Sequence, residues 1–129
     1  MSDPFVTAMG VAASGMRAQG TRIRVVTENV ANADTPGFRR KQLTFEEATD
    51  EAARHVRVDR VLEDRSALAR VHDPSHPHAD DAGYVELSNV NALIELADLQ
   101  EAQRSYQASM AAFDQARALY QRTLDLLRR

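Results

Sequence analysis

Apolar residues recur every seven positions near both ends of the chain, and its middle lacks this repeat. Near the N-terminus the repeat comprises Met9, Met16, Ile23 and Val30, with Phe5, Ala12 and Val26 at the intervening steps and Gln19 as a polar exception. Near the C-terminus it comprises Leu99, Tyr106, Phe113, Tyr120 and Leu127, with Leu96, Met110 and Leu124 between them and breaks at Gln103 and Arg117. Such repeats are typical of helices that bury one side against other helices. The pattern therefore predicts two helices that pair as a coiled coil.

The first helix is predicted over residues 4–33. Ser2 or Asp3 serves as the N-cap, and Pro4 occupies the first helical position, where its missing N–H costs nothing. The interior contains three glycines, at positions 10, 15 and 20, each of which lowers helix stability by about 1 kcal/mol relative to alanine. We therefore expect this helix to need a partner, and we expect the purified chain to be partly disordered at both of its ends. Pro36 and Gly37 end it in a turn at 34–37, where Gly37 readily supplies a positive φ.

Residues 38–87 have a different character, with β-branched residues and many turn formers. The stretch FEEATDEAAR at 45–54 favours a short helix, and strands are predicted at 55–63, 67–72 and 83–87. From Ser88 or Asn89, either of which serves as a cap, a second helix is predicted to run to about Arg128 without glycine or proline. A helix of that length measures about 60 Å. It exceeds the first helix, so some of its apolar surface is left for neighbours.

The sequence thus predicts a mainly α fold, a helix hairpin with a small β-rich linking segment. Its parts are an N-terminal helix (1–33), the linking segment (34–87) and a long C-terminal helix (88–129). A chain of 129 residues with 43% hydrophobic residues suffices for one modest domain. The helix seams by themselves are compatible with an intramolecular core, with copies of the chain, or with related chains as partners.

Charge and composition narrow the classes of partner. The net charge is −3, tryptophan is absent, and the basic clusters at 17–24 and 39–41 lack interleaved aromatic residues, which argues against nucleic acid. No uninterrupted apolar stretch is long enough to span a bilayer, and the N-terminus lacks a signal-peptide pattern. Cysteine is absent, which removes disulfides and thiolate metal sites. Proteins are the expected partners.

The segment HDPSHPHADD at 72–81 is the most chemically suggestive cluster. Its imidazoles (His72, His76 and His78) and carboxylates suit divalent metals. However, Pro74 and Pro77 exclude the helical spacing that would aim two histidines at one ion, so a solvent-exposed turn is the better interpretation. No nucleophile elbow, phosphate-binding loop or paired catalytic carboxylates occur, so neither catalytic residues nor a cofactor or metal are predicted. A small metal-dependent enzyme and a generic helical adaptor stay as alternatives.

Residues 28–40, ENVANADTPGFRR, resemble the ENxANxxTPGF signature that follows the first helix of bacterial flagellar rod and hook proteins. Within that family, further segments are similar to proximal rod proteins of the FlgC type. These are AASGM at 12–16, HDPSHPHADDAGYVEL at 72–87, SNVNALIELADL at 88–99 and AQRSYQA at 102–108. The stretch at 34–38 is shorter than in many FlgC sequences. The resemblance runs almost from end to end.

The resemblance implies a structural subunit of the proximal rod, part of the shaft that transmits motor torque and is needed for motility. It implies partnership with itself, with proximal and distal rod proteins, with the rod-base adaptor and with the flagellar export apparatus. It places the chain in the periplasmic rod of the basal body, exported without a cleaved signal peptide and without membrane insertion. Asn29, Asn32, Thr35, Pro36 and Gly37 would cap and turn the first helix. Assembly would use the helix seams: Met9, Met16, Ile23, Val26, Val30, Leu99, Tyr106, Met110, Phe113, Tyr120, Leu124 and Leu127.

Overall fold

A computed structural model describes residues 3–129 as two long helices joined by two small antiparallel sheets. The elements in chain order are α1 (Pro4–Ala31), β1 (Lys41–Thr49), β2 (Arg54–Glu63), β3 (Arg70–His72), β4 (Tyr84–Glu86) and α2 (Ala92–Leu127). The predicted architecture of terminal helices around a small β segment is confirmed. No helix within residues 3–129 has both the length and the apolar character needed to cross a bilayer.

The start of α1 follows the sequence prediction. The Asp3 carboxylate accepts hydrogen bonds from the backbone N–H groups of Phe5 (2.8 Å) and Val6 (3.4 Å), and Pro4 is the first helical residue. The alternative cap, Ser2, lies outside the described residues. The helix then continues through all three glycines to Ala31. Asp3 thus satisfies N–H groups that a helix start leaves unpaired.

The two helices pack against each other in antiparallel directions. A Cβ atom added at Gly15 would lie 2.8 Å from Ser109 Oγ, and one added at Gly20 would lie 3.9 Å from Tyr106 Cε2. Farther along α1, Arg22 forms an ion pair with Asp98. Residue numbers therefore rise on α1 as they fall on α2. Because Gly15 has no Cβ atom, α1 approaches Ser109 closely here without displacing the Ser109 hydroxyl.

The face that α2 turns toward α1 contains small side chains. Among the helices and strands of residues 3–129, α2 packs with α1 only. Its buried alanines, Ala102 and Ala116, lie seven residues on either side of Ser109. By contrast, the predicted intervening positions Leu96 and Met110 are 45% and 42% exposed. The residues that complete the contact, Ala102, Ser109 and Ala116, therefore follow Leu99, Tyr106 and Phe113 by three positions.

The predicted helix at 45–54 is wrong, because these residues form the end of β1, a turn and the start of β2. The acidic pair at 46–47 is matched across the hairpin, where Glu46 pairs with Arg57 and Glu47 lies 3.4 Å from Arg54. Asp50 closes the turn by accepting from the N–H groups of residues 52 and 53. These cross-strand contacts outweigh the local helix preference of the stretch. The predicted strand at 55–63 matches β2 to within one residue.

The strands of the second sheet are shorter than predicted, and α2 begins later than predicted. Strands predicted at 67–72 and 83–87 are observed as β3 and β4, which pair over three residues each. The second helix begins at Ala92, not at 88, because Asn91 is the cap: its side chain accepts from the N–H groups of residues 93 and 94. Asn89, one of the two predicted caps, points instead toward the linking segment. With 36 residues against 28 in α1, α2 extends about 12 Å farther.

Candidate functional site

The signature segment forms a buried polar junction at the end where α1 finishes and α2 begins. Asn29 is fully buried, and its side-chain amide both donates a hydrogen bond to the backbone of Lys41 and accepts one from it. Nδ2 donates to the Lys41 carbonyl at 2.8 Å, and Oδ1 accepts from the Lys41 N–H at 2.9 Å. The amide therefore makes with Lys41, the first residue of β1, the two backbone hydrogen bonds that a further strand could make. Asn29 fixes where the linking segment leaves the helix.

Glu95, in the first turn of α2, completes this junction. Its side chain is fully buried and accepts hydrogen bonds from Asn29 Nδ2 (3.2 Å) and from Arg40 Nε. The backbone N–H of Arg40 in turn donates to Asn89 Oδ1. A buried carboxylate is tolerated only when it is paired and hydrogen-bonded, as Glu95 is. The junction thus joins α1, the linking segment and α2 through one residue from each.

The turn after α1 holds the remaining signature residues. Asn32 is the helix C-cap, donates from Nδ2 to the Glu28 carbonyl (2.8 Å) and accepts from Thr35 Oγ1 (3.1 Å). Gly37 has the predicted positive φ, +75°, and its N–H donates to the Glu86 carbonyl at 3.0 Å. Pro36 is half-buried beside it. The expectation that Asn29 caps the helix is wrong, because Asn29 lies within α1 and its side chain turns inward to β1 and α2.

The predicted seam residues occupy mixed environments in the single chain. Val26 is buried, Met110 and Leu127 are exposed, and the rest are half-buried: Met9, Met16, Ile23, Val30, Leu99, Tyr106, Phe113, Tyr120 and Leu124. Several of them border a groove of about 470 Å³ along the helix pair, with Met16 and Gly20 on one side and Tyr106 and Phe113 on the other. Their role in assembly stays a prediction. The single chain covers the seams only partly.

The histidine segment forms a turn between β3 and β4. The His72 ring packs edge-on against Tyr84, with 4.9 Å between centroids. Hydrogen bonds to Asp80, chiefly from the Tyr84 backbone N–H and then from Arg70, lower the pKa of its carboxyl group. Within residues 3–129, no three histidine or acidic side chains are arranged to hold a metal ion. The structure gives the metal-enzyme alternative no support.

The sequence prediction missed Glu95, Arg40 and Asn89 as members of the site. Glu95 has a recognisable signal, because it is seven residues before Ala102 and so belongs to the buried column of α2. A charged residue at a buried helix position requires a partner from another segment. Arg40 and Asn89 carry no such signal, since each is one of several similar residues in its stretch. Their contacts depend on how the linking segment folds back.

Comparison with known proteins finds two matching family models. Residues 9–39 match the family described as "Flagella basal body rod protein", and residues 81–126 match "Flagellar basal body rod FlgEFG protein C-terminal". The first range contains most of α1 and the signature turn, and the second contains β4 and nearly all of α2. The matches thus include Asn29 and Glu95, two partners of the buried junction.

Curated relatives match over almost the whole chain. The flagellar basal-body rod protein FlgC of Agrobacterium fabrum is 43% identical over 98% of this chain and 97% of its own length. FlgC of Aquifex aeolicus is 34% identical over 97% and 98%, and FlgC of Salmonella typhimurium is 33% identical over 90% and 92%. These alignments include both helices and the linking segment.

Proposed function

Because this chain belongs to the FlgC family of flagellar basal-body rod proteins and is a structural subunit of the rod, we propose that it acts in the proximal rod. There it assembles with other rod proteins, and with copies of itself, into the shaft that transmits motor torque. The role is mechanical and needs no catalytic residue. The family places the subunit in the flagellar basal body, and we propose the periplasmic part of the rod as its position.

The observation that carries this proposal is the buried junction of Asn29, Arg40 and Glu95. A subunit that transmits torque must not let its helices slide or its linking segment swing. The junction resists both movements, because a shift of any one segment would leave a buried polar group unpaired. The ion pair between Arg22 and Asp98 adds a second cross-link between the helices. The helix pair and the linking segment can therefore move as one rigid unit under load.

The helix seams supply the assembly surface in this proposal. Half-buried side chains such as Met16, Tyr106 and Phe113 retain apolar area that a neighbouring helix can cover. We propose that α1 and α2 pair with neighbouring helices as coiled coils in the inner layer of the rod. Contacts of this kind between unlike faces need not close on themselves, so they generate a helical stack.

The proposed partners follow from the family. They are the other proximal and the distal rod proteins, the rod-base adaptor that the rod stands on, and the export apparatus that delivers the subunit. The signature turn at 32–37 and the hairpin of β1 and β2 lie outside the helix pair. We propose that they contact adjacent subunits in an outer layer.

Deletion of the gene in its host, followed by complementation and electron microscopy of basal bodies, tests the proposal. The deletion strain should lack complete rods and should not swim, and the wild-type chain should restore both. Asn29→Ala should restore them poorly, whereas Gln115→Ala, a change at an exposed position of α2, should restore them fully. Complete rods in the deletion strain would contradict the proposal.

A further inference from the structure

A bulge divides the hairpin of β1 and β2 into two halves. Thr44 and Phe45 are adjacent on β1, but their partners on β2, Arg60 and Val58, are two residues apart. The extra residue on β2 interrupts the ladder, and a bulge of this kind bends the strand that carries it. We call the half nearer to the buried junction the base and the half that contains the turn the arm; they comprise residues 41–44 with 60–63 and residues 45–58. The bulge is the point at which the arm can bend relative to the base.

The base is tied to both helices. The backbone of Lys41 makes two hydrogen bonds with the buried Asn29 of α1, and Lys41 Nζ lies 2.6 Å from Glu28 Oε1. Arg40, directly before the base, pairs with the buried Glu95 of α2. A shift of the base would leave buried polar groups unpaired. The junction therefore fixes the base in position.

The arm is joined to α1 much more weakly. The Val56 N–H donates to Ser14 Oγ at 3.3 Å, and the His55 ring lies beside Gly10, where an added Cβ would be 3.9 Å from Cε1. Within residues 3–129, each ion pair of the arm joins two of its own residues; these are Glu46 with Arg57, Glu47 with Arg54, and Asp50 with His55. A movement of the arm as a unit would break none of these ion pairs.

Two cavities between α1 and the hairpin flank this contact. One has a volume of about 480 Å³ and the other about 410 Å³. The residues that line both of them are Ser14, His55 and Val56, so the contact forms a narrow bridge between the two cavities. Protein interiors are normally close-packed. The arm thus lacks the packing and the polar contacts that hold the base.

We propose that the arm is a hinged segment that swings away from α1 about the bulge as the subunit enters the rod, and that it then packs on the adjacent rod subunit. This inference rests on the rod function proposed above and adds a step to its assembly. Opening uncovers Ser14, which is buried while the arm is docked, and the inner side chains of the arm, Val56 and Val58. The free subunit therefore keeps part of its apolar surface covered until a neighbour can cover it. The base stays fixed to the helices, and in the finished rod the neighbour holds the arm.

Amide hydrogen exchange of the purified chain, followed by NMR, tests the hinge. Lys41 and Val56 form a matched pair, because each N–H points out of the hairpin to a side chain of α1, at 2.9 Å and 3.3 Å. Local opening exposes an amide to exchange without unfolding the rest of the chain. The Val56 amide should exchange at least about tenfold faster than the Lys41 amide. Equal protection of the two amides would overturn the proposal.

Cross-linking in cells tests the swing, because the natural chain has no cysteine. Ser14→Cys combined with Val56→Cys locks the arm to α1, since these two residues already adjoin across the contact. In the control, Glu47→Cys replaces Ser14→Cys. Glu47 lies directly opposite Val56 in the hairpin, so this disulfide closes the arm on itself and leaves it free to swing. Both purified chains are oxidised first, and the disulfide is confirmed by mass.

Each cysteine pair is then expressed in the deletion strain, and swimming is scored with and without a mild reductant. The locked pair should fail to swim without the reductant and recover with it, whereas the control pair should swim in both conditions. Recovery separates the lock from an effect of the substitutions themselves. Swimming of the locked pair without the reductant, its failure to recover, or loss of swimming by both pairs would each overturn the proposal. Swimming restored by the wild-type chain would keep the rod function in place even then, so the two failures are distinguishable.

Discussion

Replacement of Asn29 by alanine tests whether the buried junction holds the fold together. The change removes three hydrogen bonds, two with the Lys41 backbone and one with Glu95. A buried polar group left unpaired costs about 1–3 kcal/mol. Lys41 is half-buried, so water can satisfy part of its loss, and we expect a total of about 3 kcal/mol in the free energy of unfolding. That is a large share of the stability of a small domain, which is about 5–15 kcal/mol.

Urea denaturation at pH 7, followed by far-ultraviolet circular dichroism, measures this loss. Asn32→Ala is the matched control, because it removes two side-chain hydrogen bonds at the same end of the helix but at a less buried position. We expect it to cost about 1 kcal/mol or less with an unchanged m-value. If Asn29→Ala costs no more than Asn32→Ala, the junction is not what fixes the linking segment to the helices.

Asn29→Asp sharpens the same test. An aspartate keeps an acceptor for the Lys41 N–H but turns the donor into an oxygen that faces the Lys41 carbonyl and Glu95. These neighbours disfavour the ionised form, so the folded-state pKa of the new carboxyl rises above its unfolded value. The penalty is then largest at neutral pH and is relieved as pH falls through the raised pKa. We expect Asn29→Asp to be less stable than Asn29→Ala at pH 7, and the reverse order would contradict this electrostatic account.

Three further changes test other parts of the molecule. Phe113→Asp should leave the chain soluble but abolish swimming, because it places a charge in the proposed seam, whereas Gln115→Asp at an exposed position should swim normally; normal swimming of both would remove the seam assignment. Gly20→Ala should raise the free energy of unfolding by about 1 kcal/mol, since a Cβ there meets Tyr106 at an ordinary contact distance of 3.9 Å, and a lower urea midpoint would refute this. Backbone hydrogen bonds, chiefly from Ala53, lower the pKa of Asp50, so its stabilisation of the hairpin turn is complete above the ordinary pKa of an aspartate, 3.8, and is lost as pH falls through the lowered pKa. Asp50→Asn should remove this acid dependence from the amide chemical shifts of the hairpin.

The sequence predicts this fold best where local rules and packing agree. The N-cap at Asp3, the turn with its positive φ at Gly37 and strand β2 all follow from residue type and spacing. The stretch at 45–54 fails because its helix preference is local while its strand is stabilised from across the hairpin, by Arg54 and Arg57. Secondary-structure propensity is a weak guide where such tertiary contacts compete.

The buried junction shows a different limit of sequence reasoning. The signature that contains Asn29 is visible in the sequence, and so is its position next to a turn. Its role is not visible, because the partners of Asn29 are a backbone 12 residues away and a glutamate 66 residues away. Neither distance follows from a helical or strand period. A motif of this kind predicts that a polar contact exists, but only the three-dimensional fold shows which residue is the partner.

The face of α2 that meets α1 carries small side chains for a physical reason. Two columns flank Leu99 and Phe113 at equal spacing, one with Leu96 and Met110 and the other with Ala102 and Ala116. Hydrophobicity alone favours the larger side chains, but Gly15 brings the helices so close at Ser109 that only small side chains fit between them. Gly15 is therefore a site of close contact as well as a weak point of the helix. Because alanine and serine fill the contact within the chain, Leu96 and Met110 are left exposed on the outside of the helix pair.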